Sequence, residues 1–224
     1  MHLIFKTGLT AAKKNIAPGL LLQGFALTIV LLYYFHEPTQ LALLKIPEIQ
    51  QQMGVWFPLL ATAFFGGVIP HLFLLFRKKI APGRRASTLL FLIGFWAFLG
   101  LSVDLFYKSL SLLFGNQPNV ATIIKKVLVD QLVFSVFWAA PLTTLAMFWK
   151  DHGFSLMATR KDLSRKFITM DIPVVLIALW GVWAPTMAIV YSLPLALQFP
   201  LFNIVLCFWS LLLTTLKPAE TQAE

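Results

Sequence analysis

The chain has 224 residues, of which 58% are hydrophobic, 14% aromatic and only 12% charged. Soluble domains carry about 25% charged residues on average, so this composition, with a mean hydropathy of +0.80, excludes an ordinary soluble domain. The net charge of +9 does not point to nucleic acid, because the lysines and arginines lie mainly between apolar runs, the distribution that orients a membrane protein.

The apolar runs approach the roughly 20 residues that a helix needs to cross the hydrocarbon of a bilayer. The expected fold class is therefore all-α: a multi-spanning transmembrane helix bundle of about six spans, with the lipid bilayer as its first partner. Cys207 is the one cysteine. It rules out an intrachain disulfide and sits in an apolar run as core or lipid-facing filler.

Lys6, Lys13 and Lys14 precede the first apolar stretch, as in a signal peptide. That stretch, however, runs into Tyr33, Tyr34, Phe35, His36 and Glu37 with no small-residue cleavage site, so it reads as an uncleaved first span over about 16–35. The first arginine is Arg77, which argues against an Arg-rich presequence. Pro18 stands near the start of the span, where proline is tolerated, and Gln23 is a lone amide suited to a helix–helix hydrogen bond. In the connection 36–53, Leu41 to Ile46 suits the membrane interface.

Span two, about 56–76, carries Ala63 and Gly67 as a small-x-x-x-small pair for close helix contact. Pro70 predicts a kink, and His71 reads as a packing histidine or a proton-handling group. The span ends at Arg77, Lys78 and Lys79, followed by Arg84 and Arg85, the strongest orientation signal in the chain. Span three is about 88–107. Ala97, Gly100 and Asp104 share one face, which is expected to pack inward. Asp104 can pair with Lys108 in the favourable acidic-then-basic order.

After the turn residues Gly115 to Asn119, span four covers about 126–149, with a kink expected at Pro141. Asp130 and Gln131 stand about a turn inside it. An ionisable group at such depth costs roughly 2.5–3.5 kcal/mol and by default faces protein or water. Lys126, one turn earlier, is placed to pair with Asp130 at the headgroups, so two readings stand: an ion pair at the helix start, or a polar site. The basic and apolar residues of 150–171 fit a surface amphipathic helix or a solvated loop. Span five is about 172–191, a bend at Pro194 and Pro200 follows, and span six is about 201–216. Basic segments at the N-terminus, 77–85, 150–166 and Lys217 then share one face, with both termini on it. Lys125 and Lys126 are the exception.

No phosphate-cradling glycine loop, zinc motif or nucleophile elbow is present, and the histidines at 2, 36, 71 and 152 are too dispersed for a metal site. The expectation is a non-enzyme with no cofactor and no nucleic-acid partner.

Lys125-Lys126-x-x-x-Asp130-Gln131-x-x-Phe134 resembles the K-K-x-x-x-D-Q-x-x-F segment of the family of the 22-kilodalton peroxisomal membrane protein and the mitochondrial inner-membrane protein Mpv-seventeen. Gly100 through Tyr107-Lys108 is similar to that family's G-P-x-x-x-x-W-Y-K, and Pro194 and Trp209 fall where its V-P-x-x-x-R and W-N-x-x-L-S motifs place them. The likeness covers about 58–216. Leu101 and Val136 replace prolines, Gln198 the arginine and Ser210 the asparagine. It implies a domain 53–224 like the family bundle, preceded by an extension 1–52 with one extra span. Gly100, Tyr107, Phe134, Pro194 and Trp209 become structural motif positions. It also implies a small-solute channel or permeability regulator in an organelle membrane. A bacterial inner membrane fits the charge pattern equally, and a homo-oligomer is compatible with either. Asp104, Lys108, Lys125, Lys126, Asp130 and Gln131 are the candidate pore or polar-network residues, their charges setting the solute preference. The alternative is a non-conducting scaffold whose small-residue faces bind a partner.

Overall fold

The computed structural model describes residues 16–215, and every regular element among them is helical. In chain order these are α1 (Ile16–Phe35), α2 (Glu37–Leu43), α3 (Lys45–Met53), α4 (Trp56–Phe76), α5 (Arg85–Phe114), α6 (Val120–Asp151), α7 (Leu156–Asp162), α8 (Ile172–Tyr191) and α9 (Leu195–Thr215). The expected Lys217 lies outside the described residues, as do the three lysines before position 16.

Helices α4, α5 and α6 are long and apolar enough to cross a membrane. Helix α1 turns by 103° into α2 and α3, and the helix leading through α8 bends by 45° between Ile177 and Leu179, so counting each bent pair as one span gives up to five. Helix α9 adds a shorter apolar stretch, Leu195–Leu211. Length and composition thus support three to five of the expected six spans.

Helix α9 is the centre of the bundle. Leu197, Phe199, Phe202, Val205, Leu206 and Trp209 are all buried, and it packs against α1, α3, α4, α5 and α8. Around it the other helices turn one stripe inward and leave leucines and phenylalanines outside. On α1 the inward stripe is Leu22, Ala26, Val30 and Tyr33, while Leu20, Leu21, Leu27 and Leu31 are exposed. Gln23 Nε2 donates to the carbonyl of Val182 on α8 at 3.2 Å, the helix–helix bond expected of it.

Helices α4 and α5 approach closely, and small residues allow it. A Cβ at Gly100 would lie 2.4 Å from Thr62 Cβ and Oγ1 and 2.7 Å from the Pro58 carbonyl oxygen. One at Gly67 would lie 3.0 Å from the Leu92 carbonyl oxygen, and one at Gly66 2.8 Å from the Trp96 ring. Ala63 is buried in the same contact. The small-residue faces of spans two and three therefore meet each other.

At the expected proline kinks the helix changes type. Three π-helical segments, Ala63–Val68, Asp130–Ala139 and Phe167–Asp171, each end two residues before a proline: Pro70, Pro141 and Pro173. A proline ring clashes with the carbonyl four residues earlier, and widening the preceding turns moves that carbonyl away. Helices α4 and α6 consequently run on as unbroken spans.

Pro200 lies inside α9 instead of marking a bend before it. The carbonyl it leaves without an amide partner, Ala196, accepts from Gln50 Nε2 of α3 at 2.7 Å. Helix α5 also continues beyond the expected end at Tyr107, because Asp104 and Lys108 pair along its surface; Gly115, at φ +82°, terminates it. Asn119 caps α6, its Oδ1 accepting from Thr122 N at 2.9 Å. In the polar segment 150–171 only Leu156–Asp162 forms a separate helix, tied back by His152 Nε2 to Asp162 Oδ2 at 3.1 Å.

Candidate functional site

The π-helical segment of α6 begins at Asp130, and both Asp130 and Gln131 are only 6% exposed. Asp130 Oδ2 accepts from the Tyr191 hydroxyl of α8 at 2.5 Å, and Oδ1 accepts from Gln131 Nε2 at 2.8 Å. Acceptance at both oxygens is the pattern of a carboxylate. From the same helix α8, Trp180 Nε1 donates to the Gln131 carbonyl at 3.0 Å. Helix α8 thus clamps the side chain of Asp130 and the backbone of its neighbour.

Tyr191 is held from its other side by Tyr107 of α5, edge to face at 5.4 Å. The Tyr107 hydroxyl donates to Met187 Sδ at 3.7 Å. The buried carboxylate has two donors and aromatic walls, and no cation among the described residues lies within ion-pair distance.

The expected Lys126–Asp130 ion pair is not formed. Lys126 is 2% exposed, yet its Nζ lies 5.9 Å from the Tyr191 ring centroid, over the ring face. Ion pairs among the described residues include Lys108–Asp104, Lys150–Asp151 and His152–Asp162. Asp130 is satisfied by neutral donors, which leaves the lysine to the aromatic face.

Asp130 and Gln131 open onto a cavity of about 130 Å³ between α5, α6, α8 and α9. Its walls are largely apolar, with the aromatic rings of Trp96, Phe134, Trp183, Phe202 and Trp209 joining Tyr107. Ser135 and Thr143 add hydroxyls from α6. Gln131 Oε1 is buried with no hydrogen-bond partner.

The candidate residues separate into groups. Asp130 and Gln131 reach the cavity, Lys126 sits behind Tyr191, and Lys125 is exposed. Asp104 and Lys108 pair at 2.6 Å, with the lysine side chain 60% exposed, and line a second cavity of about 370 Å³ with Gln50 and Gln51 of α3. Val103 and Tyr107, one residue earlier in each case, line the inner cavity. Asp104 and Lys108 therefore lie on the stripe of α5 beside the one that lines the inner cavity, and they reach a different cavity from Asp130.

Of the motif positions, Tyr107, Phe134 and Trp209 line the inner cavity. Phe134 stacks on Phe106 at 4.3 Å. Gly100 serves the α4–α5 contact, and the Pro194 carbonyl accepts from Leu197 N at 2.8 Å in the first turn of α9. Gln198, at the family's arginine position, folds back to donate to the Leu193 carbonyl at 2.8 Å and does not line the cavity. His71 is buried, its Nδ1 without a partner, away from both cavities.

Sequence reasoning missed Tyr191 and Trp180. A buried carboxylate needs donors, and Tyr and Trp are those an apolar helix supplies, so their presence in the next span was the available signal. Among the described residues no three His, Cys, Asp or Glu side chains gather as a metal site. No family model matches the chain, and no curated protein or solved structure matches it either.

Proposed function

We propose that this chain is an integral membrane protein of six spans, α9 being the central sixth, with both termini on the basic side, and that it passes a small solute by way of the cavity at Asp130. The observation that carries this reading is convergence. Tyr107, the run Asp130–Gln131–Phe134, and Trp209 come from three separate stretches of sequence and line one cavity. A carboxylate within a span is costly, roughly 2.5–3.5 kcal/mol, and by default marks a solute or ion path. The resemblance to the peroxisomal and mitochondrial membrane-protein family, which rests on these same motifs, agrees in kind. The residues that depart from the family pattern, Leu101, Val136, Gln198 and Ser210, are not among those lining the cavity.

The scaffold reading is less well supported. It relied on small-residue faces being free for a partner, and Ala63, Gly66, Gly67 and Gly100 are taken up between α4 and α5. No catalytic role is proposed.

The test is conductance of the purified protein in a planar bilayer, beside Asp130→Asn. Discrete openings whose selectivity changes in the variant support the reading. A silent bilayer with folded protein ends it in favour of the scaffold.

A further inference from the structure

The inner cavity also indicates what it takes. Its polar end is built from Asp130 and Gln131, both about nine-tenths or more buried. Gln131 donates one N–H of Nε2 to Asp130 and leaves Oε1 without a partner. Each Asp130 oxygen accepts one bond and has a lone pair to spare. The hydroxyls of Ser135 and Thr143 serve either as donor or as acceptor. Apart from the second N–H of Gln131, the fixed groups of this end are therefore acceptors, and a buried acceptor left empty costs about 1–3 kcal/mol. An occupant must bring donors.

Charge narrows the class. Among the described residues no lysine, arginine or histidine lines the cavity, and the ammonium of Lys126 lies over the Tyr191 ring, not on the carboxylate. An anion would meet Asp130 unpaired. A cation would meet a carboxylate and the faces of tryptophans, which attract positive charge. Volume limits the size: an apolar cavity of about 150 Å³ takes benzene, and this one is about 130 Å³.

We infer that the cavity binds a short primary alkylammonium ion, its ammonium donating to Asp130 and to Gln131 Oε1 and its alkyl tail lying among Trp96, Trp183 and Trp209. This rests on the reading of the cavity as the solute site.

The experiment uses the full-length protein in detergent, titrated with n-propylammonium chloride and followed by tryptophan fluorescence and melting temperature. Controls are 1-propanol and sodium chloride at matched ionic strength. A saturable response at least about tenfold tighter than that to propanol is expected, equivalent to 1.4 kcal/mol. Asp130→Asn should weaken it by a similar factor, and Ala139→Phe, which fills the cavity without touching the carboxylate, should abolish it. An equal response to propanol, unchanged binding in folded Asp130→Asn, or binding that survives Ala139→Phe overturns the inference. Should Asp130→Asn fail to fold, the Ala139→Phe result decides. Potassium and glycerol flux in liposomes separates the two readings. Flux without propylammonium binding keeps the passage and overturns the ligand class, and binding without flux does the reverse.

Discussion

Two glycines six residues apart on α5 should respond to alanine with opposite signs. At Gly100 an added Cβ falls 2.4 Å from Thr62 Cβ and Oγ1 and 2.7 Å from the Pro58 carbonyl oxygen. The first neighbour is the branch point of a stiff side chain, and the second is backbone, so neither yields by a rotamer change. Overpacking of this kind costs about 1–3 kcal/mol, and contact with backbone puts Gly100→Ala at the upper end. At about 2–4 °C per kcal/mol for a chain of this size, the melting temperature should fall by roughly 6–12 °C. At Gly94 nothing lies within 4 Å of the added methyl, and the helix-interior advantage of alanine, about 0.5–1 kcal/mol, should raise it instead. Thr62→Gly should recover part of the loss in the Gly100→Ala background, because it removes the nearest obstruction. Thermal unfolding of the four proteins in one detergent measures this. Shifts of the same sign at Gly94 and Gly100 would mean that α4 and α5 do not meet at this point.

Gln50→Ala strips the partner from the Ala196 carbonyl and should cost about 1 kcal/mol, the ordinary net worth of such a bond. Pro200→Ala restores an amide four residues on, so it should stabilise the Gln50→Ala protein more than the wild type in the same melting assay. Lys126→Met keeps the apolar stem and loses only a cation over the Tyr191 ring, a contact worth about 0.5–2 kcal/mol. A drop of about 3–5 kcal/mol, the cost of stripping a partner from a buried ion pair, would instead place Lys126 on Asp130.

Local relationships in this chain are legible in its sequence. The Asp104–Lys108 pair, the Ala63–Gly67 face and the bounds of α1 all follow from spacing along one helix. The bond from Gln23 was legible in kind, and its acceptor was not. Across helices the signal fades, because in helices apolar on every side no periodic contrast marks which face turns inward. In Leu195 to Trp209 only two amides, Gln198 and Asn203, both buried, distinguish the centre of the bundle from a lipid-facing span. Asp130 announced itself by charge, but its nearest basic residue, Lys126, was the wrong partner. The right one stands 61 positions away on another helix. Pro70 and Pro141 were legible as disturbances, while their resolution into widened turns depends on how much space the neighbouring helices leave.

The choice of neutral donors over a lysine has an energetic basis that can be tested. Two hydrogen bonds to a charged group are worth about 1.5–3 kcal/mol each, enough to offset the roughly 2.5–3.5 kcal/mol insertion cost of one carboxylate. Asp130 is thus sustained by Tyr191 and Gln131 together, and removing one of them strands it. Tyr191→Phe, which deletes the 2.5 Å donor and nothing else, should cost about 1.5–3 kcal/mol. Tyr107→Phe loses only a bond to sulfur at 3.7 Å and should cost less. Replacing both ends of a buried polar pair is far milder than replacing one. Asp130→Leu combined with Tyr191→Phe should therefore be more stable than Tyr191→Phe alone, although Gln131 then loses its own acceptor and prevents full recovery. A double-mutant cycle on melting temperature measures the coupling. Additive losses at the two positions would mean that the hydroxyl and the carboxylate are not paired, and with that pairing would go the acceptor-rich end of the cavity on which the ligand class rests.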